Sequence, residues 1–254
     1  RASRDALRDR LAGAGVECDV DERFRDAVRL EHGARVSELP GYEEGLFSVQ
    51  DPAAQSCAGL LRAGDGMRVL DACAAPGGKA AHLLEMADVS LTALELDAER
   101  AARIGENFAR LGLEGDVVVG DATRPRDWHD GKPFDRILVD APCSATGIMR
   151  RHPDVRWLRR PDDIEANARV QAALLENLWP LLAPGGLLVY ATCSILHAEN
   201  RDRARAFLDA HPDAEIQPPK VPGAVDVGAG EQVLPGNLDR DGFYYLRLRR
   251  LQSG

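Results

Sequence analysis

The hydrophobic residues of this chain fall into short runs that alternate with helical patterns from Met67 onward. Short, mostly apolar runs without helical periodicity predict buried parallel strands. Helices are predicted between these runs, one of them around Leu83 and Leu84. Because strand and helix alternate, we expect parallel strands with right-handed crossovers and a doubly wound α/β fold. The predicted strands are residues 67–70, 91–94, 117–119, 134–139 and 187–192, and the other helices are residues 98–111 and 162–182.

The two ends of the chain depart from this alternation. Residues 241–249 alternate apolar and polar side chains, which predicts a final antiparallel strand. Residues 2–14 have apolar side chains at helical spacing, and short strands are predicted at residues 26–30 and 45–49. We therefore expect a small N-terminal α+β subdomain over residues 1–50.

A predicted helix over residues 51–61 opens the main domain, which we assign to residues 51–254. Asp51 is a favourable N-cap residue, and Pro52 suits the first helical position. This domain is long enough to bury one sizeable core.

Composition and charge exclude several classes of protein. With 44% hydrophobic and 29% charged residues, the 254-residue chain resembles an ordinary globular protein. Its net charge of -9 argues against nucleic-acid binding over the whole surface, so such a partner would need a local basic patch. No apolar stretch approaches the roughly 18 residues of a membrane span and no leader opens the chain, so we predict a cytoplasmic protein without a membrane partner. We also expect a monomer. Because the chain begins with Arg1 rather than methionine, we expect it to be a fragment of a longer protein.

The five cysteines are scattered and form no CxxC pair, which predicts free thiols and no metal site. Cys18 and Cys57 are interpreted as small buried hydrophobic residues. Cys143 follows the strand at residues 134–139, and Cys193 directly follows the strand at residues 187–192. Because the carboxyl ends of parallel strands meet at one edge of a sheet, we expect both thiols and Asp140 in a single site.

A glycine-rich loop follows the first strand of the main domain. It is neither a GxGxxG nor a Walker sequence, so it does not indicate a pyrophosphate site. Its small residues would let a ligand approach a helix N-terminus, where backbone donors can meet an amino-acid carboxylate. Lys79 at its end would either favour that carboxylate or cap the loop. The candidate binding residues of the loop are Cys73, Ala74, Ala75, Pro76, Gly77, Gly78 and Lys79.

Acidic residues end the next two strands. Glu95 is placed to accept both hydroxyls of a ribose, although Asp97 competes for that role and is otherwise expected to be a helix N-cap. Asp121 would accept a hydrogen bond from an adenine amino group. Each signal is weak alone, but the loop and the two acids in this order are more specific. An adenosine that carries an amino acid and no phosphate describes S-adenosylmethionine, the predicted cofactor.

The segment after Cys143 is strongly basic. Residues 150–160 contain five arginines and one aspartate, a net charge of +4 in an acidic chain. Arginine pairs with phosphates and stacks on bases, and Trp157 offers a further flat face. Such a run is usually a solvated face, but its position beside the candidate site favours RNA binding. The predicted RNA-binding residues are Arg150, Arg151, His152, Arg156, Arg159 and Arg160.

Four blocks of this sequence resemble the RsmB/Sun family of RNA cytosine-5 methyltransferases: DACAAPGGK, GDATRP, DAPCSATG with RRHPDVRW, and YATCS. The similarity extends over residues 1–249. It implies a Rossmann-like S-adenosylmethionine-dependent methyltransferase sheet, preceded by part of an RNA-binding-type subdomain in residues 1–50. The RRHPD block resembles the bacterial RsmB branch, whose substrate is a cytosine in small-subunit (16S) ribosomal RNA. Bacterial members usually also carry a NusB-like domain, which this chain does not match, and its N-terminal unit lacks their first strand.

The resemblance also implies roles for individual residues. Residues 73–79, Glu95, Asp121 and Asp140 would contact S-adenosylmethionine. Cys193 would be the nucleophile and Cys143 would assist product release. Asp140 would in addition hold the pyrimidine edge at N3.

Cytosine chemistry explains why two thiols are needed. Carbon 5 is too poor a nucleophile to take a methyl group unaided, and addition of a thiolate at carbon 6 converts the ring into a reactive enamine. A cysteine of ordinary pKa, about 8.5, is only a few per cent thiolate at neutral pH, so Cys193 requires a nearby positive charge or base. After methyl transfer the proton on carbon 5 must leave, and Cys143 or a water that it orients is the expected base.

Three other functions stay open on the sequence alone. A member of the same family could act on another RNA, or the chain could be an RNA-binding ribosome-assembly factor with little turnover. A cytosine-5 DNA methyltransferase would use Cys143, within Pro-Cys, as its nucleophile. The second thiol at Cys193 and the absence of a large target-recognition region count against the DNA enzyme.

Overall fold

Parallel strands form the centre of the molecule, as the alternating pattern predicts. The computed structural model describes residues 3–20, 22–24 and 26–252. Over these residues the chain forms a nine-stranded sheet and a separate two-stranded sheet. The strands are β1 Cys18–Val20, β2 Val28–Leu30, β3 Arg68–Ala72, β4 Ser90–Glu95, β5 Asp116–Val119, β6 Phe134–Asp140, β7 Leu182–Thr192, β8 Ala214–Ile216, β9 Val225–Asp226, β10 Glu231–Val233 and β11 Phe243–Arg250.

The helices connect the strands and cover both faces of the large sheet. They are α1 Arg4–Gly13, α2 Pro52–Leu61, α3 Gly78–Met86, α4 Ala98–Leu111, α5 Val155–Leu158, α6 Pro161–Leu178 and α7 Arg201–Ala210. The predicted N-cap is confirmed, because the Asp51 side chain accepts a hydrogen bond from the backbone N–H of Ala53. Among the described residues, none of the helices combines the length and apolar character of a membrane span.

The strand order of the large sheet is β5-β4-β3-β6-β7-β11-β10-β9, with β8 paired to β11. The five strands from β5 to β7 run parallel. The predicted final strand is confirmed: β11 is antiparallel to β7, with Tyr244 opposite Thr192 and Arg249 opposite Leu187. The predicted Rossmann-like α/β class is therefore confirmed.

Successive residues of the central strands enter opposite cores, because side chains alternate across a sheet. On one face, Val69 and Leu138 pack in the same cluster as buried residues of α2, α3 and α4. On the other face, Leu70 and Ile137 pack with residues of α6 and α7. Each fully buried leucine or isoleucine contributes about 2 kcal/mol of transfer free energy, which explains why these strands are apolar on both faces.

The last strand is buried more completely than its alternating apolar and polar pattern predicts. Residues 243–248 are all buried, with Tyr245 in one core and Tyr244 in the other. Arg247, which accounts for part of the polar alternation, is only 5% exposed and donates hydrogen bonds to the carbonyl oxygens of Leu60 and Pro218. The strand lies between β7 and β10 and not at an open edge, so its polar side chain is buried with partners.

The N-terminal predictions need correction. Residues 45–49 form no strand; they follow a turn, and the Arg110 guanidinium donates to the carbonyl oxygens of Tyr42 and Phe47. The strand predicted at residues 26–30 is confined to β2, which pairs with the unpredicted β1. Three-residue strands are too short for a periodic signal. The predicted helix over residues 2–14 is α1, and Ala2 lies outside the described residues.

Two boundaries in the main domain also move. The helix predicted to reach residue 182 ends at Leu178, since Pro180 lies in the following turn and Leu182 already belongs to β7. The first strand extends beyond residue 70 to Ala72, which places Asp71 inside the sheet rather than in the loop.

Candidate functional site

The carboxyl ends of the parallel strands bring the predicted chemical groups to one edge of the sheet. β3 leads into the glycine-rich loop, β4 ends at Glu95, β6 at Asp140 and β7 at Thr192. Val139 lies opposite Tyr190 and Asp140 opposite Ala191, so the loops after β6 and β7 start side by side. This register places the loops that carry Cys143 and Cys193 in contact.

The two thiols meet. The Sγ atoms of Cys143 and Cys193 lie 3.5 Å apart and form a hydrogen bond. Backbone bonds tie their loops together: the N–H of Gly147 donates to the carbonyl oxygen of Cys193 at 2.8 Å, and that of Ala141 to Ala191 at 2.9 Å. The structure thus assembles the single two-thiol site that the sequence predicts.

The hydrogen bond shifts the pKa values of the two thiols in opposite directions. The Cys143 hydrogen bond lowers the pKa of Cys193 against the opposing effect of burial, and the nearby Lys79 ammonium lowers it further, although Asp140 opposes this. The same hydrogen bond, together with burial, raises the pKa of Cys143. Thiolate character therefore belongs to Cys193, and Lys79 is a positive charge near it that the sequence did not identify.

Lys79 reaches across the site to Asp140. Its Nζ atom lies 2.6 Å from the Asp140 carboxylate and 5.5 Å from the centre of the Phe243 ring. Burial lowers the pKa of Lys79, but the charge and hydrogen bond of Asp140, together with the charges of Cys57 and Asp71, outweigh this and the net shift is upward. Lys79 is therefore charged in the folded protein. The ion pair is an additional contact; the predicted contact with a cofactor carboxylate stays a prediction.

Asp71 lies in the middle of this edge without a hydrogen-bond partner. Its side chain is fully buried, and neither carboxyl oxygen has a partner among the described residues. Burial, and next the charge of Asp140, raise the pKa of Asp71 to about 8. Asp71 is therefore largely protonated at neutral pH. The sequence did not single it out, because it was expected in the loop.

The glycine-rich loop turns sharply into α3. Gly77 has φ +96°, and a Cβ there would lie 3.1 Å from the Ile104 side chain, so both conformation and space require glycine. Helix α3 begins at Gly78, around which a Cβ would meet nothing within 4 Å. The loop is thus pressed onto α4 on one side and open on the other.

Glu95 holds this loop in place. Its buried carboxylate accepts hydrogen bonds from the backbone N–H groups of Ala75 and Asp97, each at 3.2 Å, and lies 3.4 Å from Arg100. Asp97 is the N-cap of α4, because its side chain accepts the Arg100 N–H at 2.9 Å. The alternative role of Asp97 as a helix cap is confirmed, and ribose binding by Glu95 stays a prediction.

Asp121 stabilises its own turn. One carboxyl oxygen accepts the backbone N–H of Thr123 at 2.8 Å and its hydroxyl at 2.7 Å. The predicted contact with an adenine amino group stays a prediction.

All five arginines of the basic segment are exposed, and three of them also contact the body of the protein. Arg151 forms an ion pair with the buried Asp241, and Arg159 donates to the carbonyl oxygen of Ser144 at 2.6 Å. Arg150 donates to the backbone of Asp239 at 3.1 Å. These three contacts hold the segment against the body beside the thiol loops. The other predicted RNA-binding residues, His152, Arg156 and Arg160, are exposed as well, and so is the stacking candidate Trp157.

A buried polar cluster behind the thiols was not predicted. Glu199 is fully buried, and its carboxylate accepts hydrogen bonds from Ser144 and Ser194, the residues that follow the two cysteines. In the sequence Glu199 belongs to a polar stretch with no periodicity that would indicate burial. The only feature of the sequence that points to a role for Glu199 at the site is its proximity to YATCS.

Replacing Gly147 by alanine is expected to destabilise the protein by about 3 kcal/mol. A Cβ there would overlap the carbonyl oxygen of Gly242 and lie 2.7 Å from that of Cys193. The midpoint of urea unfolding measures the change. Gly105→Ala, on α4 with nothing within 4 Å, is the control and should stabilise the helix by roughly 0.5–1 kcal/mol. Equal unfolding midpoints for the two variants would contradict this account of the loop.

Comparison with known proteins identifies relatives over nearly the whole chain. A family model described as 16S rRNA methyltransferase RsmB/F matches residues 58–249. Ribosomal RNA small subunit methyltransferase B of Cronobacter sakazakii is 48% identical over 247 residues, which are 97% of this chain and 57% of that protein. The protein of the same name from Salmonella typhi is 47% identical over the same shares. The chain therefore spans little more than half the length of these relatives.

Solved structures share the fold. A methyltransferase homologue from Pyrococcus horikoshii superposes with a TM-score of 0.85 at 26% identity, over 99% of this chain and 84% of that one. NSun6 from the same organism, solved with SFG, gives a TM-score of 0.77 at 27% identity, over 89% and 60% of the two chains. Together with the family match over most of the chain and close to half of the residues identical in the relatives, these findings show that the chain belongs to the 16S rRNA methyltransferase RsmB/F family.

Proposed function

We propose that this chain is the catalytic part of an S-adenosylmethionine-dependent enzyme that methylates carbon 5 of a cytosine in 16S ribosomal RNA through a covalent adduct with Cys193. The observation that carries the proposal is the contact of two thiols at 3.5 Å beside the Lys79–Asp140 ion pair. The family match and the names of the relatives support ribosomal RNA as the substrate class. Residues 1–50 are proposed as an RNA-binding-type subdomain and residues 51–254 as the catalytic domain.

The site has the donors and acceptors that S-adenosylmethionine requires. The open N-terminus of α3 at Gly78 suits a carboxylate, whereas the carboxylates at the ends of β4 and β6 suit ammonium and hydroxyl donors. The unpartnered carboxyl group of Asp71 is a further buried polar group beside the loop. Residues 73–79, Glu95, Asp121 and Asp140 would hold the cofactor, which supplies an electrophilic methyl group. The related NSun6 structure contains SFG, an S-adenosylmethionine analogue, which supports this assignment.

Cys193 begins the reaction by adding its thiolate to carbon 6 of cytosine. The electrons of the carbon 5–carbon 6 double bond move toward carbon 5 and the N3 edge, so that carbon 5 becomes nucleophilic. The new carbon–carbon bond would replace the methyl–sulfonium bond, whose electron pair would leave with the thioether product. Asp140 would hold the N3 edge through a proton that its Lys79 partner can supply, and the positive charge of this pair offsets the negative charge developing on the ring. The lowered pKa of Cys193 raises its thiolate fraction at neutral pH, which favours this step.

Cys143 completes the cycle. Once Cys193 is bound to carbon 6, Cys143 releases its own thiol proton to water. The resulting thiolate, or a water that it orients, accepts the proton from carbon 5, and the electrons of the broken carbon–hydrogen bond restore the ring double bond while the carbon–sulfur bond to Cys193 breaks. Cys193 leaves as a thiolate and Cys143 holds the proton, which the 3.5 Å contact between the sulfurs allows it to share. The raised pKa of Cys143 means that its thiolate, once formed, is a strong base for the carbon 5 proton.

Nucleoside analysis tests the proposed function. The protein is incubated with S-adenosylmethionine and 16S ribosomal RNA lacking its modifications, and the digested RNA is analysed by liquid chromatography and mass spectrometry. We expect 5-methylcytidine in 16S ribosomal RNA and none in a transfer RNA or DNA control. Methylation only at nitrogen or at a ribose hydroxyl, or only in the control nucleic acids, would refute the proposal.

A further inference from the structure

We infer that Glu199 is the positioning residue of this site: its buried carboxylate joins the loop after β6 to the loop after β7 and thereby sets the separation of Cys143 and Cys193. The catalytic consequence of this inference rests on the proposed function. Glu199 touches neither thiol, so its effect is exerted through the residues next to them.

The carboxylate is shared between the two loops. One oxygen accepts the backbone N–H of Ser144 at 2.7 Å, and the other accepts the hydroxyl groups of Ser144 and Ser194, each at 2.5 Å. The two serines directly follow Cys143 and Cys193 in the chain. A single side chain therefore fixes the residue after each thiol.

The carboxylate is itself held by rigid elements. Asn167 of α6 donates its amide N–H to the carboxylate at 3.2 Å, and the Tyr190 hydroxyl of β7 donates to the Glu199 carbonyl oxygen at 2.6 Å. The neighbouring Asn200 donates to the carbonyl oxygen of Ser194 at 2.9 Å and accepts the Thr192 hydroxyl at 2.6 Å. These bonds connect Glu199 to β7 and to the long helix α6, so the two thiol loops cannot move apart without breaking them.

The cost of burying the Glu199 carboxylate favours a specific role over general packing. A fully buried carboxylate is costly to desolvate and is tolerated only when hydrogen bonds compensate it. Four groups donate hydrogen bonds to the Glu199 carboxylate: the Ser144 N–H, the Ser144 and Ser194 hydroxyls and the Asn167 amide. None of these residues belongs to the hydrophobic core. Since the thiol contact spans 3.5 Å, a displacement of about 1 Å would break it.

Replacement of Glu199 by alanine is expected to slow Cys193 adduct formation on the RNA by about 10- to 100-fold, because displacing reacting groups by 1 Å can cost that much. Glu199→Gln is expected to retain most of the rate. Its side-chain oxygen can accept the Ser144 N–H, while its amide donates to the serine hydroxyls, which rotate to accept. The step is measured as single-turnover adduct formation on RNA that contains 5-fluorocytidine. The fluorine at carbon 5 cannot leave as the proton would, so the adduct accumulates.

A second measurement needs neither RNA nor cofactor. The rate at which iodoacetamide alkylates Cys193 is followed by mass spectrometry from neutral to alkaline pH. Loss of the Cys143 hydrogen bond should shift the Cys193 profile toward higher pH in Glu199→Ala and leave it in place in Glu199→Gln. Lys79 and Asp140 are retained in every variant, so their opposing charges still act on the thiol.

Glu231 provides the matched control. Like Glu199, it holds backbone through its carboxylate, which accepts the N–H groups of Lys220 and Val221 at 2.8 and 2.7 Å. Unlike Glu199, it lies in β10, outside the thiol loops. Glu231→Ala should lower thermal stability and leave adduct formation and the alkylation profile unchanged. Should Glu199→Ala fail to fold, Ser144→Ala and Ser194→Ala are expected to shift the same profile in the same direction by a smaller amount.

The outcomes separate this inference from the proposed function. Parent-like adduct formation and alkylation in the variants at Glu199 and both serines, or losses that Glu231→Ala shares equally, would overturn the positioning role. Absence of 5-methylcytidine with the parent protein would overturn the proposed function alone. The alkylation profile still tests the positioning role of Glu199, because it does not depend on methyl transfer.

Discussion

Replacing Cys193 by alanine is expected to lower the rate of methyl transfer to RNA by about 10⁴-fold or more, as loss of a covalent nucleophile does in other enzymes. Without the Cys193 thiolate, carbon 5 of cytosine is not activated, and Cys143 is a poor substitute because burial raises its pKa even without the hydrogen bond to Cys193. Transfer of a labelled methyl group into 16S ribosomal RNA measures the rate. The same variant should form no covalent band with RNA on a denaturing gel.

Cys18→Ala is the control for general effects of thiol removal. Cys18 lies in β1, where its thiol donates weakly to the carbonyl oxygen of Arg8 at 3.7 Å. This variant should retain the parent rate. Substantial methylation by Cys193→Ala, or an adduct that survives in it, would show that Cys193 is not the nucleophile.

Replacing Cys143 by alanine is expected to trap the enzyme on its RNA. Adduct formation continues because Cys193 remains, although the lost hydrogen bond raises the Cys193 pKa and slows this step. Release is slowed more, by about 10²- to 10⁴-fold, because the base for the carbon 5 proton is missing. A denaturing gel of protein incubated with S-adenosylmethionine and unmodified 16S ribosomal RNA should show a covalent band that is far weaker in the parent.

The pair of variants distinguishes two mechanisms. An adduct with Cys193→Ala and none with Cys143→Ala would make Cys143 the nucleophile and assign the chain the mechanism of DNA cytosine-5 methyltransferases. Absence of an adduct from both variants, with cofactor binding intact, would show that this piece does not capture RNA productively by itself.

Much of the fold was predictable because its signals are local. Buried parallel strands appear as apolar runs, and the helix over Ala98–Leu111 has a cap, an amphipathic stripe and a terminal glycine that all agree with its observed bounds. The short strands β1 and β2 were missed or misplaced since three residues carry too little periodic signal. Residues 45–49 were wrongly predicted as a strand, since local propensity does not register the Arg110 contacts that hold them.

The candidate site was predictable in its members but not in its connections. Strand order and polarity alone bring Cys143, Cys193 and Asp140 to one edge, because parallel strands end on the same side. The direction in which Lys79 points is not encoded by its neighbours in the chain. Its contact with Asp140 depends on the distance between α3 and β6, which are far apart in sequence.

The sequence by itself therefore determined the α/β class, the order of the site residues and the family, through hydrophobic periodicity and short blocks of reactive residues. Only the tertiary structure decided which thiol carries the lowered pKa, that Asp71 is buried with no hydrogen-bond partner in the described part of the chain, and that Glu199 joins both thiol loops. The reason is physical. Periodicity reports which face of an element is buried, whereas pKa values and hydrogen bonds depend on distances between elements that meet only when the chain folds.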